Sequence, residues 1–308
     1  MKNINAFIKA QPMTFSCIGL LFFSLTQVAQ CNWNGSTTEQ VTFFRHLSDA
    51  GKARGVTVEE IADGGYILTG YTNAGENGGE DVLLIKTDAH GETIWRKTYG
   101  GKGNDHGWAL RQTQDRGYII VGYTQSFGQG GTDIYLIKTD SEGDTTWTRT
   151  YGGKGDEFGW DIRITKDNGF IISAQTNSLG NGEIDAYLIK VDAAGNEQWS
   201  KTYGGKQIDR IFSVQQTQDG GFVAAGITYS YSSTGPNDRD GYLLKTNASG
   251  NQEWYTTFGG DAYDVAHSVA LTNDGGYIIT GYGESDALFG KRDLYLIKTN
   301  ATGTIEWT

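Results

Sequence analysis

The fold is decided by residues 107–153, which read GWALRQTQDRGYIIVGYTQSFGQGGTDIYLIKTDSEGDTTWTRTYGG. Short segments rich in Tyr, Ile, Val, Thr or Trp are each bounded here by Gly, Asp, Asn or Ser. Such runs between turn residues predict strands, and no segment beyond the first 29 residues has the periodicity of a helix. We therefore expect a four-stranded antiparallel meander, whose strands we label a, b, c and d in chain order.

The meander is repeated along the chain, and one tryptophan per unit marks the repeat. The spacings between these tryptophans are 52, 52, 55 and 53 residues. They are Trp95, Trp147, Trp199, Trp254 and Trp307. Strand c is apolar on both sides, as in YLIK at 135–138, so neighbouring units should cover both faces of each sheet. Radial packing of four-stranded blades achieves this, so we predict an all-β fold, a β-propeller of about five four-stranded antiparallel blades.

Closure of the propeller leaves two alternatives. The chain has a d-like strand at 41–47 before the first complete unit, and its last d strand stops at Thr308, short of the Tyr-Gly-Gly found in other units. Either the first strand completes the fifth blade, or the chain is a fragment of a larger propeller. We favour five units and leave the second alternative open.

The N-terminal residues predict export from the cell. Lys2 and Lys9 precede an 11-residue apolar run, FSCIGLLFFSL at 15–25, which is too short to span a membrane. We interpret 1–29 as a signal peptide, 30–40 as an N-terminal linker and 41–308 as the propeller domain. The expected location is therefore secreted, cell-surface or periplasmic, with no transmembrane segment.

Cysteine and charge limit the classes of partner. Cys31 is the only cysteine after the predicted signal peptide, so it has no disulfide partner within the chain, and a lipid anchor at this residue is an alternative. The net charge is −11, with acidic residues spread along the sequence. No basic patch is present for nucleic acid, whose binding depends on one. An extracellular protein or glycan is the expected partner.

A resemblance adds to this interpretation. The segment 87–95, TDAHGETIW, resembles the tryptophan-docking motif of quinoprotein-type propellers, and its Asp/Asn-turn-Gly-strand-Trp order recurs in all five units. The resemblance implies that the five tryptophans pack between adjacent blades. The turn is one residue shorter here and no quinone site is recognisable, so it implies the fold and no cofactor. The whole unit is also similar to repeats of secreted bacterial propeller proteins of unassigned function.

The candidate site lies among the longer loops, because ligands usually bind to loops held by a rigid scaffold. In a meander the b–c and d–a loops share one face. The candidate residues there are Asp105, His106, Trp108, Glu157, Trp160, Asp209, Tyr229, Tyr231 and Asp264. Each repeated acid also fits a structural role as the cap of its own turn. The lysines that end each strand c, such as Lys138, are expected to pair structurally or to snorkel against a neighbouring blade.

No catalytic constellation is recognisable. The four histidines lack metal-ligand spacing, and the sequence has neither a P-loop nor a Gly-x-Ser-x-Gly elbow. We predict a secreted, non-catalytic binding scaffold that needs no metal or cofactor. The first alternative is an extracellular polysaccharide hydrolase, endoglucanase-like, that uses loop carboxylates. A quinone-dependent oxidoreductase is the second.

Overall fold

The computed structural model describes residues 51–75, 78–233, 235, 238–261, 263–284 and 293–308. Within these ranges the chain forms twenty strands and no helix, so no helix there has the length and apolarity of a membrane span. The predicted signal peptide, linker, first d-like strand and Cys31 lie outside the described residues.

The strands form five four-stranded antiparallel sheets, each made of four consecutive strands. The bounds are β1 Ala53–Glu60, β2 Tyr66–Thr72, β3 Asp81–Thr87, β4 Thr93–Tyr99, β5 Asp105–Gln112, β6 Tyr118–Thr124, β7 Asp133–Thr139, β8 Thr145–Tyr151, β9 Glu157–Ile164, β10 Phe170–Thr176, β11 Asp185–Val191, β12 Glu197–Tyr203, β13 Asp209–Gln216, β14 Phe222–Thr228, β15 Asp240–Thr246, β16 Gln252–Phe258, β17 Asp264–Leu271, β18 Tyr277–Gly283, β19 Asp293–Thr299 and β20 Ile305–Trp307. The predicted a–b–c–d meander and the β-propeller fold are confirmed.

Consecutive blades pack face to face through four hydrophobic clusters, each drawn from two neighbouring blades. The a strands β1, β5, β9, β13 and β17 contact one another in sequence, which places them innermost. Every residue of the c strands β7, β11 and β15 is buried, as their two-sided apolar pattern predicts. On β19, by contrast, Leu294 is 84% exposed, because no described blade covers that side of the fifth sheet.

Each junction between blades is held by a tryptophan and a glycine. Trp147 of the second blade lies against the c–d turn of the third, where a Cβ added to Gly195 would come within 2.8 Å of the indole. Gly195 has a φ of 77°, which glycine adopts without strain. The hydroxyl of Tyr151 donates a hydrogen bond to the Gly195 carbonyl at 2.6 Å. The corresponding pairs are Trp95 with Gly143, Trp199 with Gly250, and Trp254 with Gly303. Trp307 is 49% exposed.

The lysine at the end of strand c forms an ion pair inside its own blade. Lys190 is buried, and its Nζ lies 2.9 Å from a carboxylate oxygen of Asp167 in the a–b turn. The same pair occurs in every blade: Lys86 with Asp63, Lys138 with Asp115, Lys245 with Asp219, and Lys298 with Asp274. The structural pairing of these lysines is thus observed, but the partner is the turn aspartate of the a–b hairpin in the same blade and not a residue of a neighbouring blade.

These ion pairs predict acid sensitivity. Burial raises the pKa of Asp167, but hydrogen bonds from Thr165 and Lys190 outweigh burial and lower it from 3.8 to about 2. A folded-state pKa below the unfolded value stabilises the fold above the unfolded pKa, and this contribution is lost as pH falls. We expect the urea concentration at the unfolding midpoint to decrease as the pH is lowered from 4 to 2. The decrease should be less steep in Asp167→Asn than in the wild type. Equal slopes in the two proteins would contradict the assignment.

Candidate functional site

The four repeated loop acids lie inside the fold. Asp105, Glu157, Asp209 and Asp264 are each at most 4% exposed. Each accepts a hydrogen bond from a backbone N–H of its own d–a loop; the donors are Gly101, Gly153, Gly205 and Gly260. Asp209 also accepts hydrogen bonds from the hydroxyls of Ser230, at 2.6 Å, and Thr228. These carboxylates fix the loops, so the exposed surface of the site must come from other residues.

The innermost strand of every blade contains a β-bulge, one residue that has no partner on strand b. In the second blade Gly107 pairs with Gly122 and Ala109 with Val121, which leaves Trp108 outside the ladder. A bulge redirects the side chain of its extra residue. The bulge residues of the five blades are Val56, Trp108, Trp160, Phe212 and His267.

The bulge residues form an aromatic row across blades two to five. The ring centroids of Trp108 and Trp160 are 5.0 Å apart, and the row continues to Phe212 at 5.9 Å and His267 at 5.4 Å. All four side chains are half-buried. Along the inner strands this row therefore supplies one large ring from each of four blades.

A second set of side chains lies where strand a begins, directly after the repeated acid. These residues are register partners of residues near the end of strand b. The pairs are Arg54–Tyr71, His106–Tyr123, Phe158–Gln175, Arg210–Ile227 and Val265–Tyr282. The preceding acid recurs from the second to the fifth blade, whereas no two of these pairs are the same. Since a scaffold role predicts repetition, this variation marks the position as a candidate for ligand contact.

An open cavity of about 360 Å³ lies beside two of these pairs, between the third and fourth blades. It is lined by Asp156, Phe158, Trp160, Gln175, Asn177, Ile184 and Arg210. Small-molecule sites are commonly cavities of roughly this size with apolar walls and a few placed polar groups. The lining thus combines two aromatic rings with amide, carboxylate and guanidinium groups.

Three polar atoms of the lining are buried without a hydrogen-bond partner among the described residues. They are the Oε1 atom of Gln175, the Nε1 atom of Trp160 and the Nε atom of Arg210. Gln175 is only 6% exposed. Buried polar groups are nearly always hydrogen-bonded, so each exception calls for an explanation. The side chains that line the cavity thus contain one acceptor and two donors without partners.

The cavity lining contains one guanidinium, Arg210, and one carboxylate, Asp156, and a second arginine, Arg239, lies near Arg210. Burial lowers the pKa of the Arg210 guanidinium, and the nearby charge of Arg239 lowers it further. The guanidinium of Arg239 lies 4.7 Å from the ring centre of Tyr263 and donates to the hydroxyl of Tyr282 at 3.2 Å. Two arginines thus lie within electrostatic range of each other in a chain of net charge −11.

A second polar cluster surrounds His106, between the first and second blades. Its Nε2 atom is 2.7 Å from a carboxylate oxygen of Glu80, and its Nδ1 atom is 2.8 Å from the hydroxyl of Tyr123. Tyr71 stacks on the imidazole, with centroids 3.7 Å apart. Burial lowers the pKa of His106 despite the opposing effect of Glu80, which favours a neutral ring. Because both ring nitrogens already have partners, His106 has no ring nitrogen left to bond a ligand. The lining of the cavity, by contrast, contains polar atoms without partners.

The structure brings together some of the residues predicted from sequence and separates others. His106, Trp108 and Trp160 all lie along the inner strands. Tyr229 is close enough to Arg210 to raise the pKa of its guanidinium. Tyr231 instead stacks on Tyr255 at 4.6 Å and donates to the Gly204 carbonyl at 2.8 Å, outside the cavity lining.

Trp160 is the one named candidate among the seven lining residues; the six others, Asp156, Phe158, Gln175, Asn177, Ile184 and Arg210, were not named from the sequence. Phe158 and Arg210 directly follow a repeated acid, at a position whose residue changes from unit to unit. That variation was the available signal for these two. Gln175 joins them through its register with Phe158, which the repeat pattern alone does not provide.

Within the described ranges, no group of three or more His, Cys, Asp or Glu side chains is arranged to hold a metal ion. No family model matches the chain. The chain is 24% identical over 229 residues to the regulatory protein FlaEY of Caulobacter vibrioides, which covers 64% of this chain and 24% of that protein. It thus spans about a quarter of the length of that relative.

Solved structures share the architecture at low sequence identity. A puromycin hydrolase mutant gives a TM-score of 0.51 at 10% identity and covers 82% of this chain and 37% of that one. The Neurospora crassa Pan2 WD40 domain gives 0.43 at 11% identity and covers 82% and 80%. A thermostable family-43 glycoside hydrolase gives 0.42 at 11% identity, with 84% and 93% covered. At such identities the likeness concerns the fold alone.

Proposed function

We propose that the chain is a non-catalytic binding scaffold and that the cavity between its third and fourth blades binds a sugar unit of an extracellular glycan. One observation carries the proposal: two aromatic rings, Phe158 and Trp160, share this cavity with three buried polar atoms that lack partners. The predicted signal peptide supports the extracellular setting, where polysaccharides are abundant partners.

A sugar fits this combination of groups. One face of a pyranose ring is apolar and packs on aromatic side chains, while its hydroxyls both donate and accept hydrogen bonds. A hydroxyl can donate to the Gln175 Oε1 atom and accept from the indole N–H of Trp160, which supplies the partners that these atoms lack. The rigid inner strands hold the groups in place before binding, which reduces the entropic cost of association.

The hydrolase alternative requires a pair of carboxyl groups roughly 5–9.5 Å apart at the scissile bond. The cavity lining contains a single carboxylate, Asp156, and the four loop acids are buried and hydrogen-bonded to their own loops. The quinone-dependent alternative receives no support from the residues that line the cavity. A binding function therefore fits the available groups best.

The test is a glycan array combined with hydrolysis assays on the purified protein. We expect binding without release of reducing ends. We also expect Trp160→Ala to weaken affinity for the bound glycan about tenfold or more, because an aromatic anchor is typically worth about 1–2 kcal/mol. Isothermal titration calorimetry measures the change.

Trp307→Ala is the control, since this exposed tryptophan lies in the fifth blade and does not line the cavity. Its affinity should equal that of the wild type. Thermal unfolding of both variants separates lost binding from lost folding. Turnover that disappears in Asp156→Asn would instead support the hydrolase alternative.

A further inference from the structure

We infer that the cavity between the third and fourth blades selects an acidic sugar, and that Arg210 binds its anionic group. This inference rests on the proposed glycan-binding function and adds the chemical class of the ligand. Neither the fold nor the similar proteins assign such a preference to the chain.

The first argument is the free-energy cost of a partly desolvated Arg210 guanidinium that has no partner. Arg210 is half-buried, its Nε atom has no hydrogen-bond partner, and it forms no ion pair with a carboxylate in the part of the chain that the structure describes. A desolvated charge without a partner is costly, so proteins normally pair it or bring it to a ligand. In this chain most buried cations are paired, as Lys190 is with Asp167. Arg210 is therefore an exception at a cavity wall.

The second argument is the proximity of two arginines. Arg239 lies near enough to lower the pKa of Arg210, which means that the two guanidinium groups repel each other. A bound anion would neutralise this repulsion. A guanidinium presents a planar fork of N–H donors that matches carboxylate and sulfate oxygens.

The third argument is the position of the arginine relative to the other groups. Phe158, Trp160, Gln175 and Arg210 line one cavity, so a sugar ring on the aromatic side chains would lie within the same enclosure as the guanidinium. The Gln175 Oε1 atom, which has no partner, can only accept a hydrogen bond, and a deprotonated anionic group has none to donate. The ligand must therefore carry hydroxyls as well as the anion, as a uronic acid or a sulfated sugar does.

The experiment compares three oligosaccharide probes of equal length: oligogalacturonate, sulfated galactan and neutral galactan. We expect both acidic probes to bind the wild-type protein at least about tenfold more tightly than the neutral probe at low salt, with affinity falling as salt rises. Arg210→Gln should abolish this preference, so that its affinity for the acidic probes no longer exceeds its affinity for the neutral probe. Arg210→Lys, which keeps the charge but loses the fork, should restore part of it.

Lys102→Gln is the matched control, because it removes one positive charge from an exposed residue of the d–a loop between the first two blades. It should keep the preference for acidic probes. The melting temperature of Arg210→Gln should equal or exceed that of the wild type, since the guanidinium lacks a partner in the free protein.

The outcomes separate the two proposals. Equal binding of acidic and neutral probes, unchanged in Arg210→Gln, would overturn the inference and leave the glycan-binding function in place. Failure of every probe and every array glycan to bind would overturn the glycan-binding function, and with it the inference. A preference for acidic probes that Lys102→Gln removes as fully as Arg210→Gln would show a general charge effect and would also overturn the inference.

Discussion

Asp209→Ala is expected to lower the free energy of unfolding by about 3 kcal/mol or more. Asp209 is fully buried, and its carboxylate accepts hydrogen bonds from the Gly205 N–H and from the hydroxyls of Thr228 and Ser230. Alanine would leave these three donors without their acceptor. Each unsatisfied buried donor costs about 1–3 kcal/mol, reduced where water enters. Urea unfolding measures the change.

The control is Asp261→Ala, which removes an exposed acid from the next d–a loop. Its urea midpoint should stay close to that of the wild type. Ligand affinity of Asp209→Ala, measured at a temperature where it remains folded, should change little. If instead the variant were as stable as the wild type and had lost binding, the buried acids would belong to the ligand site, as the sequence hypothesis allows.

Trp199→Ala is expected to destabilise the protein by about 3–5 kcal/mol, the usual cost of removing a large aromatic side chain from a packed contact. The indole lies 5.7 Å from the ring of Phe222 in the next blade. It also covers Gly250, where an added Cβ would come within 2.7 Å of the indole. Loss of the indole would therefore open a cavity at the junction between the third and fourth blades.

Trp307→Ala tests the same substitution at a repeat position for which the described residues include no such junction. Trp307 is 49% exposed, so its removal should cost less than about 1 kcal/mol. The two substitutions remove the same residue type from the same repeat position. They differ in whether a described neighbouring blade covers the tryptophan. Equal destabilisation by the two substitutions would show that the tryptophan acts within its own sheet.

The fold could be predicted because its signals are local and repeated. Strand c reads as apolar on both faces, and the structure buries every residue of β7, β11 and β15. The spacing of the tryptophans gave the unit length, and the Gly, Asp, Asn and Ser residues between the apolar runs gave the turns. These features depend on residues close in sequence, so a single chain was sufficient to read them.

The site was harder to predict, because it depends on register and on the direction of side chains. Asp105 and His106 are neighbours in sequence, yet they have different surroundings. Asp105 accepts a hydrogen bond from a loop N–H inside the fold, whereas His106 lies along the inner strands. The sequence repeat gives no sign of the bulge at Trp108, because every blade contains a bulge at this position and no unit is longer because of it. The row of rings that it creates could therefore be seen only in three dimensions.

The uniform tryptophan–glycine junction has a consequence for how this protein can change. Four successive junctions use the same contacts, so they do not encode the order of the blades. A duplicated, deleted or exchanged blade would find the same docking surface on each neighbour. Each blade, however, brings its own residues to the inner strands. New ligand preferences can thus arise by recombination of whole blades, a route that keeps the tryptophan–glycine contact at each junction.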